Sequence, residues 1–302
     1  MNEKELIKII KLTLNSDYIG DDCAYLKNLG IVVSQDSLVE DIHFRLDLIS
    51  PFQLGYKSVM VNISDICASG AKPAYLTMAL SLPKYVDENF VEEFYKGAKN
   101  ACGAEVKIVG GDLTGSDKVF ISATALGAVA GRKISSRCNA KAGYKVIVSG
   151  EHGNSAKGLK LLLNGDFDNT KDQKYIMAHL MPVAQRKFSQ NISTQIQTDY
   201  AMMDTSDGLA DALIQIAKAS GVTVKIDTKK IPHDASVDME TVLYGGEDYQ
   251  IVAVVPAELL CKLENYTEIG EITCGAVGLE LDNEFYTDID NKLFNHFREQ
   301  NK

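Results

Sequence analysis

The sequence is short of the features that most often betray a function. Its six cysteines, Cys23, Cys67, Cys102, Cys138, Cys261 and Cys274, include no CxxC pair. That removes the usual zinc and dithiol signatures and leaves free, reduced thiols as the expectation. Basic residues are in deficit, 31 against 41 acidic for a net charge of −10, so no nucleic-acid partner is expected, because such a surface needs a basic stripe. No apolar run approaches the roughly 20 residues that span a bilayer. The stretch from Met1 to Lys11 alternates charge with apolar residues, so neither a leader nor a membrane partner is expected and the cytoplasm is the expected location. Low-complexity tracts, charge blocks and internal repeats are missing too.

Named catalytic signatures are equally scarce. There is no GxxxxGKS/T loop, no GxGxxG after a strand, no HRD and DFG pair, and no GxSxG elbow. The five histidines, His43, His152, His179, His233 and His296, show no HExxH spacing, and DTSDG lacks the alternating carboxylates of an EF-hand. What remains is phosphoryl transfer achieved by positioning and metal charge, which needs many carboxylates and few side-chain bases.

Carboxylates are what the chain does have. GDD at 20–22, SQDS at 34–37, NISD at 62–65, GGD at 110–112, DTSDG at 204–208 and GGED at 245–248 each stand beside an apolar stretch. This placement predicts acidic residues at strand ends. If several converge, two carboxylates about 4 Å apart repel by roughly 4 kcal/mol at an effective dielectric near 20, so a cation must hold them. Hard divalent ions with oxygen ligands fit best.

A length of 302 residues with 45% hydrophobic content favours two domains. IVVSQ at 31–35, AYLTMALSL at 74–82, EVKIVGG at 105–111 and VFISATALGAVA at 119–130 read as strands. Between the first two, Ser50 and Pro51 open a helix that Gly70 closes. On it Ser58, Asn62, Asp65 and Ser69 form a polar stripe without the Lys and Glu of a solvated face. The polar, basic segment 131–145 predicts a boundary, giving domains 1–135 and 136–302. Beyond it VIVSG leads into GEHGNSAKG, a Gly-rich loop ahead of a helix, where free N–H groups can hold a phosphate. YAMMD leads through TSDG into LADALIQIAKAS, which Gly221 stops, so Ser206 and Asp207 are expected at a helix N-terminus.

In this order and spacing, GDDCAYL, SQDSLVEDIHF, LGYKSVMVNISDICASGAKP, VGGD, DTSDGL and YGGEDYQ resemble the thiamine-monophosphate kinases, across nearly the whole chain. The resemblance implies ATP-dependent phosphorylation of thiamine monophosphate to thiamine diphosphate. It implies an α/β (α+β) fold of the aminoimidazole ribonucleotide synthetase type, two domains with the N-terminal ones pairing into a barrel across a homodimer. It assigns Asp22, Ser34, Gln35, Asp36, Asp65, Asp112, Asp204 and Asp207 to several magnesium ions, with Asp65 and Asp207 most important to catalysis. Gly111, Asp112, Arg137 and Ser206 match nucleotide-binding positions, and His43, Glu247 and Phe294 match contacts to the thiamine substrate. Two departures stand out: Gln35 replaces the usual Thr, and Asn154 a common Asp. Selenophosphate synthetases, a related class, carry a reactive Cys early in the chain, whereas residues 1–18 here hold none. Outside enzymes, a calcium-stabilised binding module is the rival reading; magnesium-dependent ATP affinity separates the two.

Overall fold

The computed structural model describes residues 3–165, 167–168 and 170–294. Two sheets divide the strands. The first contains β1 (Ala24–Leu26), β2 (Ile31–Val39), β3 (Lys72–Leu82), β4 (Lys107–Gly115) and β5 (Phe120–Ala128) in the order β1-β2-β5-β3-β4. Only β3 and β4 run parallel in it. The second contains β6 (Tyr144–Val148), β7 (Ala201–Asp204), β8 (Thr223–Ile226), β9 (Ile251–Pro256), β10 (Thr267–Thr273), β11 (Gly278–Leu281) and β12 (Glu284–Tyr286), in the order β12-β11-β8-β10-β6-β9-β7. There β8 and β11 alone are parallel.

Helix α1 (Glu3–Leu14) reaches the second half of the chain through Lys4, which bonds Asp211 and Asp290, while α2 (Pro51–Ala68) and α3 (Glu88–Cys102) accompany the first sheet. Helices α4 (Asn154–Asn164), α5 (Gln173–Leu180), α6 (Arg186–Gln195), α7 (Leu209–Ser220) and α8 (Met239–Tyr244) accompany the second. The local signals for α2 act as expected. The Ser50 hydroxyl accepts from the Gln53 N–H, the Gln53 side chain accepts from the Ser50 N–H, Pro51 fills the first position, and Gly70 follows with φ +85°. Its crossing with α3 is so close that a Cβ at Gly55 would lie 1.9 Å from the Phe94 carbonyl oxygen, and one at Gly97 would lie 1.8 Å from that of Phe52. Gly221, with φ +68°, caps α7, whose Leu209, Leu213 and Ile216 are fully buried.

One core joins both sheets. Val32, Leu76, Met78 and Ile121 of the first sheet share a cluster with Ile147, Ile251, Ala253 and Val255 of the second, with α2 and α6 filling the space between. A second cluster packs α7 on the opposite face, against Val146, Val148, Val252 and Val254. Strand β9 is therefore buried on both faces, which explains its unbroken apolar run.

The structure corrects several expectations. Strands β2 and β4 extend beyond 35 and 111, so Asp36 and Asp112 lie within strands instead of at their ends. Nine paired residues between β2 and β5 carry the ladder through the polar SQDS. The segment 131–145 is not wholly linker, because Tyr144 and Lys145 already belong to β6. Among the described residues, no helix is long and apolar enough to cross a membrane.

Candidate active site

Asp22 precedes β1, Asp65 lies in the last turn and a half of α2, and Asp204 ends β7. These distant elements bring one carboxylate oxygen from each to within 4.8 Å of the others. Protein donors orient them. The Ser34 hydroxyl donates to Asp65; Ser64 donates to Asp204 at 2.6 Å and the Ser206 hydroxyl to its other oxygen at 2.8 Å. Arg137, from the segment between the sheets, pairs with Asp22 at 2.7 Å and donates to Gln215 at 2.6 Å.

Burial raises the carboxyl pKa of Asp22 to about 6, against the pull of Arg137, and neighbouring carboxylates add to the rise. Asp36 is raised to about 6 by burial and by Asp204 and Asp22. Asp65 and Asp204 are raised by burial as well; Asp36 and its neighbours push Asp65 further, while the serine hydroxyls restrain Asp204. Asp207 opens to solvent, yet the protein crowded around it and the charges of Asp211, Glu3 and Asp204 bring it to about 7. Three carboxylates with a single guanidinium in contact make a centre whose negative charge the protein does not balance. Oxygen donors of this kind, left with free lone pairs, suit a hard divalent cation, so the residues present fit magnesium.

Other proposed site residues are placed less directly. In β2, side chains alternate, so Ser34 meets Asp65 while Gln35 turns to the opposite face and bonds Ser122 and Thr124 of β5 at 3.0 and 3.2 Å. Its side chain is therefore not brought to the carboxylate cluster. Asp112 and Gly111 stand exposed in the edge strand β4, outside the three converging carboxylates. Gly111 also has a structural reason, since a Cβ there would lie 1.9 Å from the Met78 carbonyl oxygen. Phe294 is exposed at the end of the described chain. The stripe on α2 is not shown to water: Ser58 and Ser69 bond backbone carbonyls, and Asn62 accepts from the Asp36 N–H at 3.1 Å.

The GGED turn places three side chains in two directions. Glu247 and Tyr249 adopt left-handed backbone, φ 64° and 50°, each at a cost on the order of 1 kcal/mol or more. Between them, the Asp248 carboxylate accepts from the N–H groups of Gly153 (2.5 Å) and Ser155 (2.9 Å). Those are the amides that the Gly-rich loop offered to a phosphate, so the loop is already capped by the protein's own anion. Glu247 turns the other way, tied by its N–H to the Ser206 carbonyl at 2.6 Å. Its carboxylate lies 3.0 Å from Lys57 Nζ and 3.2 Å from His179 Nδ1. Burial opposes its ionisation, but Lys57, His179 and His43 outweigh that and hold its pKa below the usual range. His43 thus sits on the Glu247 side, its Nδ1 accepting from the Val39 N–H at 3.0 Å. Tyr249 is buried and feels Glu247, Asp36, Asp204 and Asp65 together, which links this turn to the carboxylate cluster. Lys57, His179 and Tyr249 escaped the sequence reading. The one available signal was a lysine within the apolar stretch of α2.

Two family models match the chain: "AIR synthase related protein, N-terminal domain" over residues 20–129, and "AIR synthase related protein, C-terminal domain" over 141–281. A thiamine-monophosphate kinase of Aquifex aeolicus is 34% identical over 289 residues, covering 91% of this chain and 92% of its own length. One from Synechococcus elongatus is 34% identical over 295 residues, covering 90% and 89%. Among solved structures, AaThiL complexed with AMPPCP and TMP superposes with a TM-score of 0.89 at 33% identity, covering 98% of this chain and 97% of that one.

Proposed function

Because the chain belongs to the thiamine-monophosphate kinase family, we propose that it transfers the terminal phosphoryl group of ATP to thiamine monophosphate, forming thiamine diphosphate. The observation that carries this reading is the convergence of Asp22, Asp65 and Asp204 within a fold so similar to that of a kinase complexed with AMPPCP and TMP. Asp22, Asp65 and Asp204 would hold magnesium, with Asp36 and Asp207 beside them. Bound there, magnesium supplies positive charge that offsets the polyphosphate and the phosphoryl group being transferred. Ser34, Ser64 and Ser206 fix the carboxylates in place, and Arg137 both restrains Asp22 and brings a guanidinium to the nucleotide side.

The acceptor needs no protein base. A phosphate monoester with a second pKa near 6 is already ionised at neutral pH, so the difficulty is aligning two polyanions. Transfer is direct and in line, without a phosphoenzyme. His43, whose charge Glu247 feels, and Glu247 itself would contact the thiamine portion; Asp112, Gly111 and Phe294 complete the proposed set. Incubation with MgATP and thiamine monophosphate should yield a product with the mass of thiamine diphosphate. No such product would reject the activity, and net retention at phosphorus from chirally labelled ATP would reject direct transfer.

The same reading includes a division near 135/136, supported by the segment between Ala128 and Tyr144 that separates the sheets. It also includes a homodimer. Tyr75, Val109, Leu113 and Phe120 leave apolar surface exposed on β3, β4 and β5, which a second copy would cover. Sedimentation should show the dimer at micromolar concentration; an active, stable monomer would refute it.

A further inference from the structure

The Glu247 carboxylate has a side-chain nitrogen near each oxygen, the Lys57 ammonium as an ion pair and the imidazole of His179, whose pKa burial and Lys57 push down to about 4 so that it stands neutral. Lys57 Nζ approaches Oε1 at 3.0 Å and His179 Nδ1 approaches Oε2 at 3.2 Å, while Ser155 Oγ stands 3.2 Å from the same imidazole nitrogen. Lys57 is 1% exposed and His179 is buried, whereas the Glu247 side chain keeps 27% of its surface open. The grip comes from the protein side and the open part faces outward. A carboxylate offers about four lone-pair positions, so the two contacts leave acceptor capacity on each oxygen.

We propose that Lys57 and His179 are positioning residues that clamp Glu247 as a fixed, ionised acceptor for the organic cation of the substrate, which carries its charge on one heterocycle and its amine on another. This rests on the reading of Glu247 as a substrate contact. Three features support it. A buried lysine–glutamate pair is a poor source of stability compared with apolar packing, so its retention points to placement of charge. Glu247 holds left-handed backbone, and strain of that kind persists where position matters. Lys57 lies on α2 three turns before its C-terminus, the same helix that carries Asp65. One rigid element thus sets the position of both the metal-binding carboxylate and the substrate-facing one.

The test compares wild type, Lys57→Met, Glu247→Gln and the double variant. Methionine keeps the length of lysine and removes its charge. Lys57→Met should raise the KM for thiamine monophosphate about tenfold or more while the KM for MgATP stays within about twofold. Adding Lys57→Met to Glu247→Gln should raise the KM for thiamine monophosphate no further, because Lys57 acts through Glu247. A parallel rise in both KM values, or additive losses, would overturn the proposal. His179→Gln should give the same selective rise in smaller measure, and a silent result would overturn its share of the clamp. Thermal unfolding of the four proteins reads the clamp without turnover. Glu247→Gln strands a buried ammonium and should lower Tm, and the double variant should recover part of the loss. Additive losses of Tm refute the clamp. Absence of turnover in wild type, with that recovery present, would refute the kinase reading and leave the clamp standing.

Discussion

Asp65 and Glu247 are both acids drawn into the protein, and the fold treats their charges in opposite ways. Asp65 lies against Asp22 and Asp204, takes one hydroxyl donor from Ser34, and has its pKa raised well above the ordinary value by burial and by its acidic neighbours. Glu247 lies against Lys57 and His179 and has its pKa lowered despite burial. The first arrangement gathers carboxylates with a single guanidinium in contact, and on the proposed reading a cation from solution completes it; the second carries its cation within the fold. Carboxylates of the first kind can gather and release a metal with its nucleotide. One of the second kind needs no ion from solution to stay ionised.

The strongest way to break this comparison is to remove charge from the incomplete group. Asp65→Asn and Asp207→Asn should each depress turnover by about a hundredfold or more at ordinary magnesium, measured as product formation under saturating substrates. Near-normal turnover in both would dissolve the distinction drawn above.

The pH dependence of stability should sharpen it. Asp22 and Asp36 have folded pKa values of about 6, above the roughly 3.9 of an unfolded Asp. Between those values the folded state keeps protons that the unfolded state has lost. Their contribution to stability is therefore complete below pH 4 and is lost as pH rises through 6. Glu247, with its pKa lowered, behaves in reverse, contributing above its unfolded value and failing as pH falls. In metal-free buffer, Tm should fall by on the order of 5 °C from pH 5 to pH 8, and magnesium at pH 8 should restore it. A Tm that rises over the same interval without metal would contradict the charge assignment.

The smallest effect is expected at Asp238, in a polar stretch outside every motif. Its carboxylate caps α8, accepting from the Thr241 N–H at 2.8 Å and the Thr241 hydroxyl at 2.9 Å. Asparagine caps helices about as well, so Asp238→Asn should leave turnover unchanged and cost roughly 0.5 kcal/mol or less by denaturant unfolding. It serves as the control for charge removal away from both groups.

Local features were legible because their causes are local. Ser50, Pro51 and Gly70 marked α2, and Gly221 marked the end of α7, through conformational preferences that hold in any context. The interior placement of Asp36 and Asp112 was not legible, because strand pairing over a long register overrides a polar stretch. Nor could spacing show which acids converge: GDD at 20–22 and GGD at 110–112 look alike in sequence, yet Asp22 joins the cluster and Asp112 occupies an exposed edge. The partner of Lys57 is a residue in the other half of the chain, presented by a turn whose left-handed residues are not glycines. Motif resemblance singled out Glu247, and only the folded chain shows what lies against it.

On the proposed reading, Asp22, Asp65 and Asp204 form a charge-unbalanced group that a divalent ion completes. Titrating the metal-free protein with magnesium and ATP at pH 6, by calorimetry in buffers of different ionisation enthalpy, tests it most directly. Carboxyls with raised pKa values must lose protons to take the ion, so proton release should be seen as a buffer-dependent heat, and it should shrink in Asp65→Asn. Binding whose heat is independent of buffer and unchanged in Asp65→Asn, once the protons of ATP itself are subtracted, would contradict the account.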